Sequence, residues 1–158
     1  EKFNSKDIRY EKIIIMTDAD VDGAHISTLL MAFFYKEFPK LIDEGHLYLS
    51  VPPLYRITKG SKILYAVNDK HKDEIIKKEF KGSEVNINRF KGLGEMMPAQ
   101  LKETTMSPDN RTLLKVQIAS KDKKSTLKSV DALMGKKPEL RFKFITENSK
   151  KISAEAIL

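Results

Sequence analysis

A short apolar run followed directly by three aspartates constrains this chain more than any other feature. Residues 13–16 read Ile-Ile-Ile-Met, and Asp18, Asp20 and Asp22 come next. A run this rich in β-branched residues predicts a fully buried strand of a parallel sheet. Ligands of open α/β sheets bind beyond the carboxyl ends of the strands. The aspartates are therefore expected to lie where a ligand binds.

The chemistry of these carboxylates predicts a metal ion. Neighbouring negative charges disfavour one another unless a cation neutralises them, and oxygen ligands suit Mg²⁺. We therefore predict Asp18, Asp20 and Asp22 as metal ligands. Asp22 has a second interpretation that the sequence leaves open, because it lies just before a helical pattern and is a good N-cap residue. For Asp18 and Asp20 the alternative is a solvated turn.

An EF-hand calcium loop begins with the same Asp-x-Asp-x-Asp-Gly pattern. That loop requires a bidentate glutamate at its twelfth position, where counting from Asp18 gives Leu29. It also follows a helix, whereas residues 13–16 predict a strand. The EF-hand interpretation therefore fails on both counts.

The remaining chain predicts alternating helices and strands. Helical spacing over residues 23–44 places six apolar side chains on a face that we expect to be core, with a break or kink at Pro39 and an end at Gly45. The six are Ile26, Leu29, Leu30, Phe33, Phe34 and Phe38. Further elements are predicted as a strand at 46–51, a hairpin at 54–67, a helix from 68 or 69 to 78, a strand at 84–90, a short helix at 98–105 and a strand at 111–118.

A glycine-rich segment follows the strand predicted at residues 84–90. It reads Lys-Gly-Leu-Gly-Glu over residues 91–95, with Arg89 just before it. Glycine lets the backbone approach a ligand closely, and Arg89 and Lys91 supply positive charge, so the segment is a candidate phosphate contact. It matches neither a Walker loop nor a dinucleotide fingerprint, and a plain tight turn is the commoner explanation.

Charge and composition narrow the class of partner and compartment. A net charge of +7 beside an acidic cluster favours a polyanionic substrate, with metal ions between carboxylates and phosphates. The chain has no cysteine, which excludes disulfides and thiolate metal sites and fits a reducing cytoplasm. No apolar run reaches membrane-spanning length, and the first residues do not resemble a signal peptide. We therefore expect a cytoplasmic protein without a membrane partner.

The composition changes after residue 119. Residues 120–134 predict a lysine-rich helix that Gly135 ends. The next stretch alternates cations with apolar side chains, which predicts a segment that packs on something while its charges face outward. These side chains are Lys136, Lys137, Leu140, Arg141, Phe142, Lys143, Phe144 and Ile145. Residues 1–118 and 119–158 are therefore interpreted as separate parts.

Four stretches together resemble the B subunit of bacterial type IIA topoisomerases. They read DADVDGAHISTLL, PPLYRI, RFKGLGEM and LMGKKPELRFKFITEN, and they span residues 12–148. The last is closer to topoisomerase IV than to gyrase. The resemblance implies a Rossmann-like α/β Toprim domain over residues 1–118, with a parallel sheet flanked by helices. It also implies a basic C-terminal tail over residues 119–158, which contacts the A subunit and DNA.

The resemblance also implies roles for particular residues. Asp18 and Asp20 would hold one or two Mg²⁺ ions, and Asp22 would bind directly or through water. Asp18, Asp20 and Lys91 would be the catalytic set. The implied DNA-binding residues are His25, Arg89, Lys91 and Arg141.

The function implied is one half of a site for Mg²⁺-dependent DNA cleavage and religation. In such enzymes, which relax and decatenate DNA, an A subunit carries the nucleophilic tyrosine in an A₂B₂ heterotetramer and ATP binds a separate domain. We therefore interpret the tyrosines here as structural and attach no ATP site to these residues. The family's upstream Glu-Gly-Asp-Ser stretch and first strand are absent, so we expect an incomplete metal site and no activity from the chain alone. A non-catalytic module that binds DNA and a partner is the alternative; the second and third stretches argue against a primase or nuclease.

Overall fold

The computed structural model describes residues 4–149. The chain forms two compact units, Glu1–Val116 and Gln117–Leu158, and each is described by itself. The predicted division into residues 1–118 and 119–158, with a separate role for each part, stays a prediction.

The elements follow the predicted alternation of helices and strands. The strands are β1 (Ile13–Ile15), β2 (Leu47–Ser50), β3 (Tyr55–Lys59), β4 (Lys62–Ala66), β5 (Asn86–Arg89) and β6 (Leu113–Lys115). The helices are α1 (Val21–Glu37), α2 (Pro39–Asp43), α3 (Asp69–Glu79), α4 (Pro98–Leu101), α5 (Lys123–Met134) and α6 (Pro138–Asn148). Single helical turns cover Ser5–Asp7, Leu93–Glu95, Lys102–Met106 and Ser120–Asp122.

The first sheet has the order β1-β2-β6 and carries the acidic turn. β1 runs parallel to β2, whereas β6 is antiparallel to β2, so the sheet is mixed. The predicted α/β class is confirmed. The prediction that residues 13–16 are fully buried is wrong: Ile15 is buried, but Ile13 and Ile14 are half-buried and Met16 is exposed. The reason is that β1 has a strand neighbour on one side only within residues 4–149.

Helix α1 confirms the predicted periodicity but not the predicted burial. Ile26, Leu29, Leu30 and Phe33 are exposed, Phe33 by 49%, and Gly23 is the one buried residue of the helix as described. A 3.6-residue period shows that a helix has an apolar face, but it does not show what covers that face. Pro39 separates α1 from α2 as predicted, and Gly45 ends the segment with a φ of 80°.

The second sheet has the order β4-β3-β5 and is antiparallel throughout. The predicted hairpin is confirmed, and Gly60 takes a φ of 58° at its turn. Helix α3 begins where predicted because the side chain of Asn68 accepts a hydrogen bond from the His71 N–H at 2.8 Å. One face of the sheet packs with α3 into a core of Tyr55, Ile57, Ala66 and Phe80.

The second unit contains α5 and α6. Gly135 ends α5 as predicted, while α6 was not predicted as a helix. Its apolar side chains are exposed, Phe142 by 72%, and none of its residues is buried. No helix within residues 4–149 is long and apolar enough to cross a membrane.

Candidate metal and nucleic-acid site

The acidic turn joins the end of β1 to the start of α1. Asp20 has an extended backbone, and its Oδ1 accepts a hydrogen bond from the Gly23 N–H at 2.7 Å. Asp20 is therefore the N-cap of α1, and Asp22 lies in the first helical turn. The open interpretation of Asp22 as the cap is thus wrong, because the helix begins earlier than the apolar spacing indicated.

Gly23 brings the first turn of α1 against the backbone of Asp18. A Cβ atom built on Gly23 would lie 2.0 Å from the Asp18 carbonyl oxygen. No side chain fits in that space without displacing the backbone. The glycine thus fixes how closely α1 approaches the acidic turn.

The glycine-rich loop meets the carboxylate of Asp18. The Leu93 N–H donates a hydrogen bond of 2.7 Å to Asp18 Oδ1, across 75 positions of sequence. A Cβ atom on Gly92 would lie 3.0 Å from the Asp18 carboxyl carbon and 3.1 Å from each of its oxygens. The loop that was expected to approach a phosphate therefore approaches an aspartate of its own chain.

Hydrogen bonds within the loop hold its shape. The carboxylate of Glu95 accepts from the Lys91 N–H at 2.8 Å, and the Met96 N–H donates to the Leu93 carbonyl at 3.1 Å. Phe90 and Met96, on either side of the loop, are both buried. The loop is thus anchored at both ends, with the side chain of Lys91 exposed between them.

The other predicted DNA-binding residues lie at different places. His25 is exposed on α1, one turn from the exposed Asp22. Arg89 lies in β5 opposite Tyr55. The pKa of Asp69 is lowered chiefly by a hydrogen bond from Lys72, then by one from Tyr55, with a smaller contribution from the charge of Arg89. The charge of Arg89 therefore reaches Asp69 at the second sheet.

Arg141 belongs to the second unit. It is half-buried in α6, and its Nη1 donates to the Gly135 carbonyl at 2.7 Å, across the turn between α5 and α6. A guanidinium carries five N–H donors, so this bond leaves others for a phosphate. Its predicted contact with DNA stays a prediction.

The acidic turn offers a small set of oxygen donors. Within residues 4–149, no three acidic, histidine or cysteine side chains converge as a ready metal cage. Asp18 and Asp20 each direct one oxygen at a backbone N–H, and neither forms a salt bridge with a described lysine or arginine. Mg²⁺ is commonly held by one or two carboxylates plus water and substrate phosphates, so this set fits it. The ligand assignment stays a prediction.

Three contributors to this site were missed from the sequence. The Leu93 amide has no side-chain signature, so nothing in the sequence points to it. Gly23 was interpreted as part of a motif, not as a packing position. Glu95 had a detectable signal, because an acidic residue four positions after Lys91 can reach back to its N–H.

Comparison with known proteins first defines the class. Residues 1–52 match the family model of the Toprim domain, and residues 82–146 match that of the DNA gyrase B subunit, carboxyl terminus. The Toprim match fits the Rossmann-like arrangement of β1, α1 and β2. The class is therefore defined by a Toprim match followed by a match to the gyrase B carboxyl terminus.

Curated relatives narrow the class to one family. The chain is 60% identical over 149 residues to the B subunit of DNA topoisomerase 4 from Bartonella bacilliformis, covering 94% of this chain and 22% of the relative. It is 56% identical to the same protein from Caulobacter vibrioides, covering 98% of this chain and 22% of the relative. The B subunit of DNA gyrase from Clostridium acetobutylicum is 49% identical, covering 95% of this chain and 23% of the relative. The chain belongs to the type IIA topoisomerase B-subunit family, which confirms the resemblance. It spans about a fifth of these relatives' length.

Proposed function

We propose that this chain supplies the acidic half of a Mg²⁺-dependent site that cleaves and religates DNA in a topoisomerase of the topoisomerase IV type. The observation that carries the proposal is the turn after β1, where Asp18 and Asp20 lie at a strand end without any basic partner among residues 4–149. The similarity to the B subunits of topoisomerase 4 supports the same conclusion.

The proposed reaction uses two subunits. A tyrosine hydroxyl of an A subunit attacks a DNA phosphorus, which forms a phosphotyrosine ester and releases the 3′-oxygen; religation reverses this step without ATP. Asp18 and Asp20 would hold Mg²⁺, which when bound offsets charge on the scissile phosphate and the leaving oxygen. Lys91, which is exposed and two residues before the Leu93 amide that binds Asp18, would bind a phosphate.

His25 and the Arg141 unit would bind DNA, the second unit would also contact the A subunit, and the assembly would be an A₂B₂ heterotetramer. ATP would act only through a separate domain of the full-length protein. The complex would work in the cytoplasm, at the nucleoid.

The test replaces Asp18 with alanine in the full-length protein assembled with its A subunit. Mg²⁺-dependent DNA cleavage is expected to fall about 10²-fold or more, because a preorganised contributor to transition-state charge is lost. Asp109→Ala is the matched control, since Asp109 is an exposed aspartate in a turn of the same unit. Undiminished cleavage by Asp18→Ala would reject the proposal.

A second candidate is a module that only binds DNA and its partner protein. It is favoured by one observation: Asp20 caps α1 and Asp18 accepts from Leu93, so both carboxylates already have structural roles. In that case DNA affinity falls with salt but does not respond to Mg²⁺ or to EDTA. A binding titration with Mg²⁺ and with EDTA separates the two candidates.

A further inference from the structure

We infer that the glycine-rich loop is a positioning device for Asp18, in which Gly92, Leu93 and Glu95 fix the direction of its carboxylate. The inference rests on the proposed function, because it takes Asp18 to be a metal ligand. None of these three residues would touch the metal or the DNA in this role. They act through Asp18 and are positioning residues.

The first support is steric and singles out one of the loop's two glycines. Gly92 has φ −157° and ψ 170°, an extended conformation that any residue adopts, so its backbone does not require glycine. A larger residue is instead disfavoured by the Asp18 carboxyl, 3.0 to 3.1 Å from a Cβ built at this position, which would have to shift by a few tenths of an ångström. Gly94 has nothing within 4 Å of its Cβ position. The two glycines therefore differ in whether the Asp18 carboxylate crowds the Cβ position.

The second support is the hydrogen bond to one named oxygen. The Leu93 N–H holds Asp18 Oδ1 at 2.7 Å, which leaves Oδ2 as the oxygen available to a cation. An amide–carboxylate bond is short and charge-assisted, and it fixes side-chain rotation as partners behind metal ligands do in known sites. The loop thus selects which oxygen of Asp18 is presented.

The third support is that the loop is itself closed. Glu95 accepts from the Lys91 N–H at 2.8 Å, and the Glu95 N–H donates to the Gly92 carbonyl at 3.2 Å. These bonds hold the Leu93 N–H in the direction that meets Asp18. Lys91, whose side chain is exposed, directly precedes Gly92 in the same loop and would bind a phosphate there.

The main test measures metal affinity and activity of Gly92→Ala in the full-length protein assembled with its A subunit. Mn²⁺ affinity by calorimetry and the half-saturating Mg²⁺ concentration for cleavage are both expected to worsen about 10-fold. That is the lower end of the loss seen when supporting contacts of metal ligands are removed. Gly94→Ala is the matched control and is expected to stay within about twofold of the wild type.

A second pair of variants guards against a simple folding defect. Glu95→Ala is expected to weaken Mn²⁺ affinity because it opens the loop, and Glu95→Gln is expected to restore it because an amide oxygen can accept from the Lys91 N–H. If the loop only stabilised the fold, Glu95→Ala would lower the unfolding midpoint and leave the Mn²⁺ affinity of the folded protein unchanged. Equal Mn²⁺ affinity of Gly92→Ala, Glu95→Ala and the wild type overturns the inference.

A metal-free measurement separates this inference from the proposed function. The Leu93 amide proton in the NMR spectrum of the intact chain is expected to lose its downfield shift and its protection from exchange in Asp18→Ala. An unchanged Leu93 amide overturns the positioning role whatever the metal does. A third outcome is that the Leu93 amide signal differs between the wild type and Asp18→Ala as expected while the wild type binds no Mn²⁺. That result overturns the proposed function but leaves the contact between the loop and Asp18 standing.

Discussion

The two sheets of the first unit differ in how far their apolar and charged side chains are covered or paired. The sheet β4-β3-β5 covers Ile57 completely, and the hydroxyl of its buried Tyr55 donates to Asp69 at 2.8 Å. Lys72 lies 2.8 Å from the same carboxylate and 4.8 Å from the Tyr55 ring centroid. The sheet β1-β2-β6 instead carries a helix with an exposed apolar face, and Asp18 and Asp20 beside it have no basic partner among the described residues.

This difference separates carboxylates that cations of the same chain neutralise from carboxylates that they do not. Asp69 pairs with Lys72 of its own helix and accepts a hydrogen bond from Tyr55 of β3, so its charge is neutralised by its neighbours. Asp18 and Asp20 are oriented by backbone N–H groups, which carry no net charge, so their negative charge is still available to a cation. Matching substitutions at comparable positions of the two sheets test this contrast.

The largest effect is expected from separating the charge of Asp20 from its capping role. Asp20→Asn keeps an oxygen for the Gly23 N–H but removes the charge, so cleavage is expected to fall about 10²-fold with little change in Tm. Asp20→Ala should lose about 1 kcal/mol of stability as well. Asn68→Ala, the cap of α3, should cost similar stability and leave cleavage intact. Full cleavage by Asp20→Asn would remove the contrast between the sheets.

The next effect concerns the two apolar faces. Ile57, which is 0% exposed, is expected to cost about 2–5 kcal/mol of unfolding free energy when changed to alanine, because a buried cavity is left. Ile26, which is 50% exposed on α1, should change it by about 0.5 kcal/mol or less in this chain. Urea unfolding measures both. A comparable loss at Ile26 would show that the α1 face is covered in solution.

The smallest effect is a pH dependence that involves Asp69 at the second sheet. The pKa of Asp69 lies below its usual 3.8, first because of the Lys72 hydrogen bond and then because of Tyr55. A depressed pKa contributes stability above the unfolded value and loses it as pH falls through the folded value. Tyr55→Phe is therefore expected to lower stability at neutral pH and to show a smaller acid-induced decline than the wild type. Tyr65→Phe is the control; an equal decline in both contradicts the assignment.

The sequence predicted those parts of the fold that depend on local chemistry. The β-branched run gave β1, the glycine between two apolar strands gave the hairpin, and Asn68 gave the start of α3. Burial of α1 was mispredicted because periodicity carries no information on the covering element. Helix α6 was missed because its cations and aromatic residues alternate without a clear apolar face.

The candidate site was predicted in its acidic half and missed in its supporting half. Asp18, Asp20 and Asp22 stand out because like charges cluster in a few residues. The contact between Asp18 and Leu93 joins positions 75 apart through a backbone N–H, and no residue type encodes it. The close approach of Gly92 to the Asp18 carboxylate was not predicted either, because the glycines were considered only as a candidate phosphate contact.

The close approach at Gly23 affects how related sequences should be interpreted. The space for a side chain there is already filled by the Asp18 carbonyl, so selection against larger residues would act even in a relative that had lost all chemistry. An unvarying glycine at this position would report crowding, not catalysis. A relative that keeps this glycine but has other residues at the aspartate positions would have kept the fold and lost the reaction.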